Sequence, residues 1–288
     1  MDWAKVKTIL IIVFLIVNIF LMMKVVEKSC RRELKADEIQ SVTSLLSQNN
    51  IILQQQMPTK ISFMPRIKTT NEIAEGDWLA DKLIGSGKWT KVQGQTNETI
   101  YTFEDKKLKV GVNGRFNYTI NKGPDKLQLN SEDKVKEYIY NILRLYTTIE
   151  NYTLESLVKG RDGYELKLSC YYKDNEIFNN YVEAKVNDSG QIILTHGLVS
   201  FDGFVGKPKK VTPVDALIEL IKSVERSSQT TVREVLLGYY ADVNKNQEVI
   251  KYGEADPAWK IITDKGTYIF DGYNGSLLYE SGVLQEEL

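Results

Sequence analysis

The sequence predicts an α+β protein with one N-terminal transmembrane helix, and three observations predict it. Residues 8–23 form an apolar run without a charge, amphipathic helical segments recur along the rest of the chain, and each is followed by short alternating strands parted by turn signals. The helix-plus-antiparallel-sheet units over 130–205 and 211–288 read as an internal repeat, with YVEAKVNDSGQI from Tyr181 resembling TYIFDGYNGSLL from Thr267 and Gly190 and Gly275 in equivalent turns.

The apolar run comes first. Extended to Val6 and Val26 it makes a helix of roughly 31 Å at ~1.5 Å per residue, which matches a hydrocarbon core of ~30 Å. Lys7 and Lys24 fall near its edges, where their stems can snorkel. It leads into KVVEKSCRREL, which has no small-residue cleavage site, so an anchor is expected rather than a removed signal peptide. Residues 1–26 are then an anchor with a short tail and 27–36 a charged juxtamembrane linker. Cations lie on both sides, Lys5 and Lys7 before and Lys24, Lys28, Arg31, Arg32 and Lys35 after, so charge leaves the direction open.

Composition narrows the partners. Lys and Arg number 37 against 38 for Asp and Glu, so no overall field draws nucleic acid to the chain. Cys30 and Cys170 stand far apart, and spacing does not decide whether they pair.

An N-terminal subdomain is expected over 37–125. It opens with a helix ending near Asn49, followed by strands at 51–53 and 61–64, the second limited by Pro65. A helix over 72–84 stops at Gly85-Ser-Gly87, and strands follow at 89–92, 99–103, 107–112 and 115–120, the last two joined by Asn113-Gly114. The unit over 130–205 begins with a helix carrying Val135, Tyr138, Ile139, Ile142, Leu143, Tyr146 and Ile149 on one face and continues in strands at 153–158, 164–172, 181–186 and 191–201. Gly206–Lys210 reads as a linker. Thr212-Pro213-Val-Asp215 then starts the last helix, with strands at 232–241, 259–263, 267–270 and 277–280.

Catalytic patterns are sparse. His196, the single histidine, lies in a strand away from any nucleophile motif and reads as a partly buried strand residue rather than a catalyst or pH sensor. Asp242-Val-Asn244-Lys-Asn246 starts like a calcium loop, but Gln247 and Gly253 stand where that loop needs glycine and glutamate, which leaves a polar hairpin. Glu254 and Asp256 are an acid pair of the kind a glycosidase would use, and a loop pair is the simpler account. No metal, cofactor or catalytic residue is expected. Inside the apolar run, Asn18 shares a helical face with Phe14 and Leu21. Its carboxamide can bond a neighbouring helix in lipid, a gain of roughly 0.6 to 2 kcal/mol, so Phe14, Asn18 and Leu21 are the candidate partner-helix contact.

MDWAKVKTILIIVFLIVNIFL resembles the opening of the YycI family at Asp2, Trp3, Lys5, Lys7, Thr8, Phe14, Asn18, Phe20 and Leu21. The single pass and repeated α+β domain also look like that family and its relative YycH, and PAWKI…YIFDGYNG looks like PepSY-type modules. The resemblance implies a non-enzymatic regulator of the cell-wall-linked two-component sensor histidine kinase YycG, also called WalK. It would be a single-pass protein of the cell membrane with its C-terminal domain extracytoplasmic, acting through transmembrane contacts together with a YycH-like protein. The alternative is a PepSY-type extracytoplasmic module that inhibits or holds a protease or cell-wall enzyme.

Overall fold

The computed structural model describes residues 3–30, 32–70, 76–94, 98–111, 115–123, 131–197, 200–225, 228–241, 244–245, 248–249 and 252–282. The Asn113-Gly114 turn lies outside them. α1 (Trp3–Cys30) is one continuous helix. Beyond it Glu33 bridges Lys60, the Leu34 N–H donates to the Thr59 carbonyl at 2.8 Å and the Ile61 N–H to the Arg32 carbonyl at 2.7 Å. The chain leaving α1 is therefore tied at once to residues 59–61.

α2 (Ala36–Gln48) starts at Lys35, whose N–H donates to the Glu38 carboxylate, and it buries Val42 and Leu46. β1 (Ile51–Leu53) pairs in parallel with Thr230–Val232. β2 (Ser62–Thr70) does not stop at Pro65. The Tyr239 hydroxyl donates to the Pro65 carbonyl and that of Tyr273 to the Met64 carbonyl, so side chains take over bonds the ladder cannot make there. α3 (Gly76–Leu83), β3 (Thr90–Gln93), β4 (Thr99–Phe103), β5 (Lys106–Val110) and β6 (Arg115–Ile120) follow as a helix and meander.

α4 (Glu132–Leu143) buries Val135, Ile139, Ile142 and Leu143 of the expected face, and ends before Tyr146 and Ile149, which the periodicity places on it. β7 (Tyr152–Lys159), β8 (Gly163–Tyr172), β9 (Asn175–Asn187) and β10 (Ile192–Gly197) form an antiparallel run. β11 (Ser200–Val211) contains the stretch expected to be a linker. Gly206–Lys210 is instead part of an edge strand paired with β2, its register broken between Val205 and Lys209 around Pro208, with Gly206 at φ +75°. Proline fits an edge, where its missing N–H removes no ladder bond. α5 (Pro213–Ser223) has Thr212 at its N-cap and proline at its first turn. β12 (Thr230–Ala241), the small hairpin β13 (Asn244–Lys245) with β14 (Glu248–Val249), β15 (Tyr252–Thr263), β16 (Gly266–Asp271) and β17 (Leu277–Gly282) complete the chain.

The class is mixed α+β, built on one large curled sheet with few helices, and not on a separate sheet for each subdomain as the sequence suggested. One part of the sheet runs β7-β8-β9-β10-β6-β5-β4-β3. The other places β12 between β1 and β15, with β2–β11 and β16–β17 sharing the far edge of β15. β9 and β12 join the parts through one parallel bridge, Ile177 to Tyr239. Each part has its own core. α3, α4 and β4–β10 enclose Leu79, Phe116, Ile139 and Leu168, whereas α2, α5, β2, β12, β15 and β16 enclose Leu46, Ile67, Leu217 and Phe270. Thus α2, β1 and β2 pack with the C-terminal elements, and α3 with β3–β6 extends the sheet of the middle unit.

Candidate functional site

The candidate contact residues lie on α1. Phe14 is 66% and Leu21 54% exposed, Asn18 is exposed between them, and so is every residue from Leu10 to Met23. A helix apolar on all faces and covered by no other element of its chain is unstable in water. Among the described residues no helix is long and apolar enough to cross a membrane, and the continuous stretch of α1 whose side chains are described is 10–23.

The globular part holds a buried polar network that sequence reasoning missed, centred on the joint between the two cores. Between Ser169↔Tyr181 and Cys170↔Ile177 the register of β8 and β9 jumps, so Phe178, Asn179 and Asn180 bulge out of the ladder. Each then does something different. Phe178 packs with Ala258 and Ile269 under the Lys260 ammonium, which pairs with Glu176 at 2.5 Å. Asn179 fastens the end of β12 like a backbone unit, donating to the Ala241 carbonyl at 2.6 Å and accepting from its N–H at 3.0 Å. Asn180 is fully buried and turns toward His196.

His196 is buried completely. Its Nδ1 lies 3.0 Å from the Tyr146 hydroxyl, and its Nε2 lies 2.7 Å from the Tyr152 hydroxyl and 3.2 Å from Asn180 Oδ1. Burial pulls the ring down to about 3, so it stays neutral, and burial holds both phenols well above their ordinary value. No carboxylate touches the ring among the described residues, so it has neither the orienting acid nor the nucleophile of a catalytic triad. It is a structural histidine, more deeply buried than its sequence context indicated.

Tyr146 and Tyr152 also line an open cavity of about 240 Å³ with Thr148, Asn151, Tyr172 and Phe201. Cys170 also lines it, a free thiol that burial pushes up to about 12, which leaves it protonated and unreactive. The one legible sign of this site was the placing of aromatic residues with His196 in strands, which fits any core.

The acid pair has a structural use. Arg66 Nε donates to Asp256 at 2.5 Å and Nη1 to Glu254 at 3.0 Å, joining β2 to β15, with the guanidinium over the Tyr273 ring. Both acids thus share one cation, which fastens β2 to β15.

A model of the YycI protein family matches residues 31–273. No curated protein matches the chain. Among solved structures, a protein from Eubacterium rectale ATCC 33656 described as uncharacterized, solved at 1.45 Å, is 12% identical with a TM-score of 0.43, over 80% of this chain and 91% of that one. The YpeB C-terminal domain of Bacillus megaterium is 13% identical with a TM-score of 0.34, over 88% of this chain and 99% of that domain. The family match spans most of the chain and both cores, and by it this protein belongs to the YycI family, whose members are regulators tied to the YycG sensor kinase.

Proposed function

We propose that this chain is a membrane-anchored, extracytoplasmic regulator of a YycG/WalK-like sensor histidine kinase, acting through contacts of α1 with the kinase's transmembrane helices and in company with a YycH-like protein. The observation that carries this reading, beside family membership, is α1 itself, whose apolar side chains from Leu10 to Met23 are all exposed. Lipid and partner helices are the surroundings that would cover it. Residues 1–26 act as the anchor, with Phe14, Asn18 and Leu21 toward the kinase. The units over 130–205 and 211–288 are, in the same reading, two copies of one module. Support comes from their common order of a helix and four main-sheet strands, β7–β10 in one and β12, β15, β16 and β17 in the other with the small β13–β14 hairpin set aside, and from Gly190 and Gly275, both at positive φ, between the third and fourth of these.

The test is kinase autophosphorylation in proteoliposomes, with residues 8–23 replaced by an unrelated apolar helix. The expected result is loss of regulation, and Asn18→Leu alone should weaken the helix contact by roughly 3- to 30-fold, the equivalent of 0.6 to 2 kcal/mol. Regulation that survives the replacement would move the activity into the folded domain, where a PepSY-type binding module would keep it.

A further inference from the structure

We infer that the end of the β2–β11 ribbon nearest α1 is a docking surface for an anionic lipid bilayer, so that the folded domain lies against the membrane that holds its anchor. This rests on α1 being that anchor.

The ribbon is electrically lopsided. At its far end the cations are neutralised, Lys68 by Asp202 and Arg66 by Asp256 and Glu254. At its near end they are not. Lys60, Lys207, Lys209 and Lys210 are exposed, as is Arg32 where the chain leaves α1, and among the described residues none of these five is in an ion pair with a carboxylate. The neighbouring acids are Glu33, opposite Lys60, and Glu38, held by the Lys35 N–H, while Lys209 lies 5.1 Å from the Tyr273 ring that it shares with the Arg66 cluster.

These cations are gathered in space. The Ile61 N–H donates to the Arg32 carbonyl, which holds the backbone next to Lys60 against Arg32, Lys60 itself lying opposite Glu33. Lys210 is the cross-strand neighbour of Phe63, and the Arg32 guanidinium lies 5.8 Å from the Phe63 ring centroid. Phe63 is 38% exposed, so an aromatic ring sits among the charges, the pairing found where side chains meet headgroups.

Covalent reach favours lipid over a soluble acidic partner. If the hydrocarbon ends near Val26, the helix carries Cys30 about 6 Å beyond it. Two further residues place Arg32 at most about 7.6 Å from Cys30. The headgroup layer occupies the first ~5–8 Å of that distance, and the remainder is about one Debye length at physiological salt. Arg32 and the ribbon end tied to it therefore lie within reach of lipid charge. Each cation near an anionic surface contributes about fivefold to such an equilibrium.

The experiment uses the full chain in nanodiscs, with a nitroxide at Thr59→Cys in a Cys30→Ser background, Cys170 being buried. Accessibility to an aqueous nickel chelate is compared between phosphatidylcholine discs and discs containing phosphatidylglycerol, with a label at Lys134→Cys on α4 as the distant control. Shielding at position 59 alone, in anionic discs alone, is expected, and Lys207→Gln with Lys210→Gln should cut the docked-to-undocked ratio about 25-fold. Equal accessibility in both discs overturns the surface while leaving the anchor. Shielding in neutral discs produced by soluble polyglutamate assigns the patch to an acidic polymer and overturns it too. A chain washed from the discs by alkaline carbonate overturns the anchor, and this surface with it.

Discussion

His196→Gln should make the protein less stable at neutral pH and relatively more stable in acid, with the two stability curves crossing near pH 5. The folded ring titrates at about 3 because it is sealed from water, whereas in the unfolded chain it titrates near ~6.5. Above that value both states hold a neutral ring and the group adds no pH dependence. Between 6.5 and 3 the unfolded chain alone takes up the proton. Stability then falls by about 1.36 kcal/mol per pH unit, roughly 2 kcal/mol by pH 5 and roughly 3.4 kcal/mol by pH 4. Glutamine removes this loss. At neutral pH it costs about 1–3 kcal/mol, since the hydroxyls of Tyr146 and Tyr152 are not both satisfied by the amide. Urea unfolding of both proteins at pH 7.5, 6, 5 and 4.5, taken as a difference, cancels every other titrating group. A difference constant across that range would refute the account of a buried neutral imidazole.

Cys170 should resist a maleimide at pH 8 in the folded Cys30→Ser protein and react promptly in 8 M urea, because its thiol is held up to about 12 by burial; native labelling would show an open path to it. Gly238→Ala should cost about 1–3 kcal/mol, since a Cβ there would lie 2.4 Å from the Glu176 carbonyl at the β9–β12 joint, and calorimetry should show a lowered Tm. Leu46→Ala should cost about 2–5 kcal/mol, a loss measurable by denaturant titration, if α2 is part of the second core as its full burial indicates.

Local order was legible and assembly was not. The helix faces of α4 and α5, the cap at Thr212-Pro213, and strands β1, β4 and β6 follow from periodicity and turn chemistry within a few residues of each other. The linker misreading at Gly206–Lys210 has a local cause, since glycine, proline and lysine mark both a loop and a guarded sheet edge. β15 passes through Pro257 and β2 through Pro65 because bonds from distant tyrosines and partner strands hold them, which no window of sequence contains. The joining of α2 to α5 across some 170 residues is of the same kind. The family was legible in residues 2–21, whereas its confirmation comes from 31–273, so the two rest on different parts of the chain.

The energies bear on what kind of regulator α1 can be. A carboxamide bond in lipid gives roughly 0.6 to 2 kcal/mol, and moving a two-state equilibrium from 1:99 to 99:1 takes about 5.5 kcal/mol. In the proposed contact, Asn18 alone would therefore bias a kinase and not switch it. Under the proposal, the domain would supply the rest by fixing the pose of α1. Arg32 and Ile61 bond backbone to backbone immediately after the helix, and the cations around them face outward. A domain held to the membrane at that point restricts the tilt and rotation of α1, which lowers the entropy lost when its Asn18 face meets a partner. On this argument charge removal at Lys207 and Lys210 weakens regulation even with Phe14, Asn18 and Leu21 intact. Loss of regulation by Asn18→Leu and by the lysine pair should then combine more than additively, because both act on one binding step.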